Sequence, residues 1–361
     1  MELGLGPTTW SWTMRPTRLM VMLALFATLA LGVAACGDDD DGGGGGGDTA
    51  DLPTIRFQGL PADPAAIPML VMQEEGLDQK HGFKAEFVEV DPDAAANTLL
   101  LGESDIAMEQ DAVTMTLAQQ EGQAGVVFFP VLNTMMSVVV PEDSSARAPE
   151  DLKGKRVGHF GVDSGTTSVI ALMLQELYGI DVFEDYDLRE AGPSALPQLL
   201  KGGQVDAIFD YEPLALRAVL ETPGRYLFEP AKAWAEREEG WSPYLTNLAA
   251  RVDWLEENEE LAIEAREAWM EAVEQIEETN YEIFAEEPYR SFLALSGEEE
   301  LNAFIDYCAD LPCFLTRWTD EDIEKLNGWL DLMAENDVLI EEPPTEPVAV
   351  QLEEFFGNGG A

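Results

Sequence analysis

The sequence predicts an α/β fold of two lobes, each a mixed sheet flanked by helices. Short apolar strand patterns alternate with helical patterns from Pro53 onward, which is typical of sheets covered by helices. The segment Leu100–Ala107 (LLGESDIA) also resembles Leu200–Ile208 (LKGGQVDAI), since in both a helix ends at a glycine and an aspartate opens an apolar strand. A chain of 361 residues is long enough for two such units.

The first unit begins with a strand at Thr54–Phe57. The elements that follow are predicted to be a helix over Ile67–Glu75 stopped by Gly76, a strand over Lys84–Val90, a helix over Asp93–Leu101 and a strand over Asp105–Met108. Two apolar, β-branched strands at Val126–Pro130 and Ser137–Val140 come next.

The second unit repeats this order, with a strand over Lys155–Phe160, a glycine-bearing loop at Gly161–Gly165 and a helix over Thr167–Tyr178. The last third of the chain is mostly helical. One apolar stripe with helical spacing consists of Ala262, Ala265, Trp269, Val273 and Ile276. Thr319 is the expected cap of a helix that runs to Asn336. Residues 343–361 are expected to form a tail.

The first 50 residues have the composition of an export signal followed by a tether. Leu19–Leu31 is an apolar run of 13 residues preceded by Arg15 and Arg18, and it is shorter than the ~20 residues that span a bilayer. It leads into Val33-Ala34-Ala35-Cys36, which resembles a bacterial lipobox. We therefore expect residues 1–35 to be a signal peptide, Cys36 to be lipidated and residues 36–51 to be a flexible tether. An ordinary signal peptide with an incidental cysteine is the alternative.

Charge and composition exclude several classes of protein. The chain has 70 acidic and 20 basic residues, a formal net charge of −50, which argues against a nucleic-acid partner and against an anionic membrane surface. Contact with the membrane is expected only through the lipid anchor, and the acidic surface is interpreted as an adaptation to a saline exterior. Two histidines and three cysteines leave too few ligands for an ordinary zinc or iron site, so no metal and no cofactor are expected. In the oxidising exterior, Cys308 and Cys313 are expected to pair, since Pro312 can turn the chain between them.

Several short stretches occur in an order known from one family of proteins. They are Pro68–Gly76 (PMLVMQEEG), Leu101–Ala107 (LGESDIA), Asp151–Gly158 (DLKGKRVG), Val205–Ile208 with Glu212-Pro213, and Leu255–Leu261 before a long amphipathic helix. This ordered set resembles the solute-binding proteins of ABC importers for nitrate, alkanesulfonates, taurine and the pyrimidine precursor of thiamine. The resemblance covers roughly residues 54–341.

The resemblance implies a type II periplasmic-binding-protein fold, with a ligand cleft between the lobes and two crossing strands as the hinge. The first crossing is expected near Asn133–Val140 and the return near Ser242–Leu248. Lobe 1 would then consist of residues 52–136 and 244–342 and lobe 2 of residues 137–243, so that the carboxy-terminal helices pack on lobe 1.

Candidate ligand-binding residues follow from a general rule, since ligands of open α/β sheets lie beyond the carboxyl ends of the strands. Five loops qualify, and their candidate residues are Asp63, Glu109, Gln110, Asp111, Asn133, Ser164, Gly165, Thr166, Thr167, Asp210, Tyr211 and Glu212. The turn Ser164–Thr167 begins a helix, where free N–H groups favour an anionic or carbonyl group. Simple N-capping without a ligand is the alternative.

The charge of these loops indicates the kind of ligand. They contain the six acids Asp63, Glu109, Asp111, Asp163, Asp210 and Glu212 and no lysine or arginine, although a chain this acidic places several acids in any set of loops. The acids favour a neutral or amine-bearing solute over nitrate or a sulfonate, with Tyr211 stacked on a heterocycle. On this hypothesis Asp210→Asn weakens binding.

An enzyme is not expected. The segment Gly161–Gly165 (GVDSG) lacks the spacing of a nucleophile elbow and the lysine of a phosphate-binding loop. The expected function is that of an exported, lipid-anchored, monomeric solute-binding protein at the outer face of the cell membrane. It would deliver a small polar organic solute (a sulfonate, nitrate, taurine or a nitrogen heterocycle) to the permease and ATPase of an ABC importer. A sensory receptor uncoupled from transport and an enzyme like the pyrimidine-precursor synthase of the resembling family are the alternatives.

Overall fold

The computed structural model describes residues 52–357, apart from residues 163 and 296. The predicted signal peptide, Cys36 and the tether lie outside these described residues, as does Asp163.

Strands and helices alternate through the first 200 described residues, and helices dominate after them. The strands are β1 (Thr54–Gly59), β2 (Lys84–Glu89), β3 (Ile106–Gln110), β4 (Gly125–Asn133), β5 (Met136–Pro141), β6 (Arg156–His159), β7 (Asp187–Glu190), β8 (Ala207–Tyr211), β9 (Gly224–Phe228) and β10 (Tyr244–Arg251). The first nine helices are α1 (Ile67–Glu74), α2 (Leu77–Lys80), α3 (Ala95–Leu100), α4 (Ala112–Gln120), α5 (Gly165–Tyr178), α6 (Val182–Asp185), α7 (Leu196–Lys201), α8 (Leu214–Glu221) and α9 (Pro230–Arg237). The later helices are α10 (Val252–Glu257), α11 (Glu259–Glu278), α12 (Tyr289–Phe292), α13 (Glu298–Asp310), α14 (Asp320–Glu335) and α15 (Leu352–Gly357).

The strands form two five-stranded mixed sheets built on one plan. The first has the order β2-β1-β3-β10-β4, and the second has the order β7-β6-β8-β5-β9. In each sheet four strands run in the same direction, and one strand, β10 or β5, runs antiparallel to both of its neighbours. We call the first sheet with its helices lobe 1 and the second sheet with its helices lobe 2. The predicted α/β fold of two lobes is confirmed.

The internal repeat seen in the sequence corresponds to an equivalent ion pair in each lobe. In lobe 1 the guanidinium of Arg56 on β1 lies 2.6 Å from the carboxylate of Asp105, which precedes β3. In lobe 2 Arg156 on β6 lies 2.8 Å from Asp206, which precedes β8. Each aspartate also accepts the backbone N–H of its arginine. The aspartate at the start of the third parallel strand therefore ties that strand to the first one.

The lobes are joined by two neighbouring crossings. The first is Thr134-Met135, between β4 and β5, and the return enters lobe 1 through β10 after α9. The hydroxyl of Thr134 donates a hydrogen bond to the carbonyl of Pro243, and Ser242 Oγ donates to Asn133 Oδ1 over 2.9 Å. The two crossings are thus hydrogen-bonded to each other.

Helix α11 buries the stripe that the sequence predicts. Ala262, Ala265, Trp269, Val273 and Ile276 are all 0% exposed, and α11 packs on α1 and α2 of lobe 1. The predicted cap of α14 is also present, since Thr319 and Asp322 form a capping box.

Two of the carboxy-terminal helices, α13 and α14, also contact lobe 2. Glu300 of α13 bonds Arg217 of lobe 2, and Asp310 lies 2.6 Å from Lys232 of α9. The indole of Trp329 on α14 contacts that of Trp234 on α9 edge-to-face, with ring centroids 5.0 Å apart. Helices α13 and α14 therefore contact lobe 2.

Residues 343–357, expected to belong to a tail, pack on the fold. Ala349 pairs in parallel with Val127 on the edge strand β4, and the indole N–H of Trp318 donates to the carbonyl of Val350 over 2.8 Å. Leu352 and Phe355 are buried. This segment covers the free edge of β4, which would otherwise present unpaired backbone groups. Among the described residues, no helix combines the length and the apolar character needed to cross a bilayer.

Candidate functional site

A cleft lies between the lobes, at the carboxyl ends of the parallel strands. It consists of two chambers, of about 270 and 240 Å³, which share four residues: Glu109, Thr166, Leu245 and Thr246. We call the first the loop chamber, because the 60–64 loop of lobe 1 and Tyr211–Pro213 of lobe 2 line it. We call the second the helix chamber, because the amino-terminal turns of α4 and α5, the start of β10 and one face of α14 line it.

Asp63 and Tyr211 belong to the loop chamber and come from opposite lobes. Asp63 is half-buried, and its Oδ1 accepts the backbone N–H of Ala65 over 2.9 Å. Burial, with a smaller contribution from the charge of Glu109, raises the pKa of Asp63 to about 6. The pKa of Tyr211 is raised as well, first by burial and then by the charges of Asp210 and Asp63. The ring of Tyr211 packs edge-to-face on Phe160, with centroids 5.7 Å apart.

Glu109 lies where the two chambers join. Its Oε1 accepts hydrogen bonds from the side-chain amides of Gln58 (2.6 Å) and Gln110 (2.9 Å), and Met108 donates its N–H to Oε2 over 3.1 Å. Burial raises the pKa of this carboxyl, while the two amides oppose the rise. Gln110, a predicted ligand residue, therefore holds Glu109 and does not itself line either chamber.

Asp111 and the α5 turn face the helix chamber. Asp111 caps α4, accepting the N–H of Thr114 over 2.7 Å, and burial raises its pKa. Of the predicted turn, only Gly165 and Thr166 line the cleft. Ser164 caps α5 by accepting the N–H of Thr167 over 3.2 Å, and Thr167 is 0% exposed. Ser164 and Thr167 therefore form a simple N-cap of α5, which was the alternative to a ligand-binding role.

Three predicted ligand residues have other roles in this structure. Asn133 braces the hinge, where its Oδ1 accepts from Ser242 and from the N–H of Thr134. Asp210 is 0% exposed within β8 and lines neither chamber. Glu212 lines the loop chamber, but its two oxygens already accept from Tyr226 (2.9 Å) and from the N–H of Leu216 (2.8 Å).

Burial dominates the pKa values of two acids at the carboxyl end of β8, Asp210 within the strand and Glu212 just after it. Burial raises the pKa of Asp210 to about 8 and that of Glu212 to about 7. Asp210 Oδ1 accepts the N–H of Tyr211 over 3.0 Å, while its Oδ2 has no hydrogen-bond partner in the described part of the chain. Glu212 also precedes a cis peptide bond to Pro213.

Sequence reasoning missed several residues of the helix chamber. Thr246 and Asn247 on β10 line it, as do Trp329, Leu330 and Met333 on α14. Two polar residues inside strand β10 (YLTNLAAR) were the available signal, because a buried polar side chain needs a partner. The residues that the structure places around the two chambers include no lysine or arginine.

The fold and its cleft define a class, that of two-lobed α/β proteins with a cleft between their lobes. A comparison with protein families matches residues 62–286 to the NMT1-like family, and the chain belongs to this family. No curated protein sequence matches the chain at a significant level.

Solved structures show the same fold at low sequence identity. The periplasmic aliphatic sulphonate binding protein SsuA of Escherichia coli is 18% identical with a TM-score of 0.65, covering 81% of this chain and 95% of its own. The ligand-binding component of an ABC-type import system of Staphylococcus aureus is 11% identical with a TM-score of 0.58, covering 84% and 98%. The nitrate-binding protein NrtA of Synechocystis PCC 6803 is 17% identical with a TM-score of 0.54, covering 71% and 70%. The chain has the fold of these binding proteins.

Proposed function

We propose that this protein is an exported, lipid-anchored solute-binding protein that delivers a small polar organic solute to the permease and ATPase of an ABC importer. One observation carries the proposal. The cleft takes Glu109 and Thr246 from lobe 1 and Thr166 and Tyr211 from lobe 2. A solute bound there contacts both lobes together only when the cleft is closed, so binding favours closure. A permease can then distinguish the loaded protein from the empty one by its shape.

The import role is supported by the names of the structural neighbours, which include a component of an ABC-type import system and two periplasmic binding proteins. The lipid anchor is supported by the sequence around Cys36, which lies before the described residues. A protein tethered by one lipidated residue and a glycine-rich linker stays near the membrane while its two lobes remain free to move.

Native mass spectrometry of the protein purified from its own cells tests solute binding. We expect a small molecule to co-purify and to be lost from Thr166→Trp, which fills the junction of the two chambers. Thr345→Trp is the matched control, because Thr345 is exposed and lies outside both chambers. Loss of cellular uptake of that solute on deletion of the protein would connect binding to import. A protein that carries no solute and closes on none would contradict the proposal.

The anchor is tested separately. In Cys36→Ser we expect the signal peptide to stay attached or the protein to be released from the membrane. A variant that remains membrane-bound at the mature mass would contradict the lipid anchor but would leave the solute-binding role intact.

A further inference from the structure

Four contacts fasten α13 and α14 to lobe 2. They reach three of its elements, α8, β9 and α9, and the pairs are Glu300–Arg217, Tyr307–Tyr226, Asp310–Lys232 and Trp329–Trp234. The carboxylate paired with Arg217 is largely buried, since the Glu300 side chain is 8% exposed. The two tyrosine rings have their centroids 6.2 Å apart. Lobe 2 is therefore held by apolar and charged groups that are mostly withdrawn from water.

The chain between α13 and α14 is fastened to lobe 1. Residues 313–315 run antiparallel beside the end of β4. The N–H of Asn133 donates to the carbonyl of Cys313 over 3.0 Å, and the N–H of Leu315 donates to the carbonyl of Val131 over 3.2 Å. This short segment therefore pairs with the hinge strand just before the first crossing.

Both ends of the segment are secured. On one side the disulfide between Cys308 and Cys313 joins the last turn of α13 to it. On the other side Trp318 packs on Tyr244 of β10, with ring centroids 5.8 Å apart. The part of the chain from α13 to α14, residues 298–335, is thus bonded to lobe 1 as well as to lobe 2, and we call it the clamp.

A rotation of the lobes about the hinge must break one of these two sets of contacts. If the clamp stays with lobe 1, its four contacts with lobe 2 are lost. If the clamp moves with lobe 2, its pairing with β4 and the contact between Trp318 and Tyr244 are lost. Contacts that exist in only one arrangement of two bodies favour that arrangement. The clamp therefore favours the lobe arrangement of this structure whichever lobe it follows.

We infer that the clamp holds the two lobes in the arrangement of this structure when no solute is bound. The inference goes beyond the proposed function, because the contacts that carry it need no solute. The clamp also lies outside residues 62–286, which match the NMT1-like family. In a clamped protein, less of the binding energy of a solute is needed to bring the lobes together, so its apparent affinity is higher.

The distance between the outer edges of the two lobes tests the inference. Glu89 and Glu190 are the exposed last residues of β2 and β7, the edge strands opposite β4 and β9. Cys36→Ser leaves only the disulfide cysteines, so spin labels attach to Glu89→Cys and Glu190→Cys alone. We expect double electron–electron resonance on protein that native mass spectrometry shows to be free of solute to give the distance of this structure. A longer distance should occur in less than about 10% of molecules, and a majority with the longer distance overturns the inference.

Two variants weaken the clamp, and each has a matched control within lobe 1. Glu300→Gln removes the charge from an ion pair whose side chains are 30% and 8% exposed. Asp105→Asn does the same to a pair within lobe 1 whose side chains are 37% and 9% exposed. Trp234→Leu removes an indole that contacts α14, and Trp269→Leu removes a similarly buried indole of α11 in lobe 1.

The variants should differ in the label distance and not in whether they are folded, which circular dichroism checks. We expect the fraction of molecules with the longer distance to grow at least about fivefold in the two clamp variants and less than about twofold in the two controls. No growth in either clamp variant, or equal growth in clamp variants and controls, overturns the inference.

A double variant tests the attachment to lobe 1. Cys308→Ser combined with Cys313→Ser frees the end of α13 from the segment on β4, so the longer distance should again become at least about fivefold more frequent. An unchanged distance distribution in the folded double variant would overturn the role of the disulfide in the clamp.

The clamp and the proposed function can fail separately. A protein whose lobes open freely without solute, but with which a solute still co-purifies, would refute the clamp and leave the proposed function intact. A protein that keeps the distance of this structure and binds no solute would support the clamp and refute the proposed function.

Discussion

Asp210→Asn is expected to stabilise the protein, and to do so more strongly as the pH rises. The side chain of Asp210 is 0% exposed in β8, one of its oxygens has no partner in the described structure, and burial raises its pKa to about 8. At neutral pH the folded protein therefore holds a proton on this carboxyl that the unfolded chain releases. Taking up that proton is a cost of folding.

The size of the cost follows from the two pKa values. Below the ordinary value of 3.8 the carboxyl is protonated in both states, and it imposes no cost. Between that pH and about 8, stability falls by about 1.36 kcal/mol per pH unit, which sums to about 4 kcal/mol at pH 7. Asparagine is neutral at every pH and can still accept the N–H of Tyr211. The gain at pH 7 is thus at most about 4 kcal/mol, since the added amide N–H groups also need partners.

Urea unfolding at pH 5, 7 and 8.5 measures this effect. We expect the difference in unfolding free energy between Asp210→Asn and the unaltered protein to grow by about 1.4 kcal/mol for each pH unit between 5 and 7. Asp206→Asn is the control, and here we expect the free energy of unfolding to fall. The hydrogen bond from Arg156 lowers the pKa of Asp206, so replacing Asp206 removes stability above pH 4. A gain for Asp210→Asn that does not change with pH, or a loss at pH 8.5, would refute the reasoning.

Three further predictions concern stability. The structure joins Cys308 and Cys313 by a disulfide across five positions, so Cys313→Ser should cost about 2 kcal/mol, and thiol labelling of the unreduced, denatured protein should modify neither residue. Asp105→Asn should lower the free energy of unfolding in urea by about 2 kcal/mol, and Asp206→Asn should lower it less. The reason is that the Asp105 side chain is 9% exposed and the Asp206 side chain is 38% exposed. Raising NaCl from low to molar concentration should raise the melting temperature, since salt screens repulsion within a chain of net charge −50. An unchanged melting temperature would contradict the saline adaptation.

The sequence was sufficient to predict the lobes and most of the loops around the cleft. Strand ends are marked by a change from apolar to turn-forming residues, and for this reason Asp63, Glu109 and Thr166 could be placed at the cleft. What sequence patterns could not provide was the direction of a side chain at a strand end. Strand β8 continues through Tyr211, so Asp210 lies inside the sheet, where successive side chains point to opposite faces. The expected loss of solute binding in Asp210→Asn therefore has no support in the geometry.

Sequence patterns also could not predict contacts between residues that are distant in sequence. The amphipathic pattern of α14 predicts that one face is buried, but it does not indicate what covers that face. In the structure Leu330 and Met333 border the cleft. In the same way the apolar residues after Pro347 indicate burial, yet only the folded chain shows that they cover the edge of β4.

The position of α14 constrains how the cleft can open. The hinge bond between Thr134 and Pro243 lies at the crossing itself, where a rotation of the lobes changes distances least. The indoles of Trp234 and Trp329, 3% and 5% exposed, are in contact across the lobes, and opening of the cleft would have to separate them or make them slide. The exposed pair of Lys232 and Asp310 adds little, because such pairs are screened by water and salt. The apolar contact of α14 with lobe 2 therefore opposes opening of the cleft, as does the bond between Glu300 of α13 and Arg217 of lobe 2.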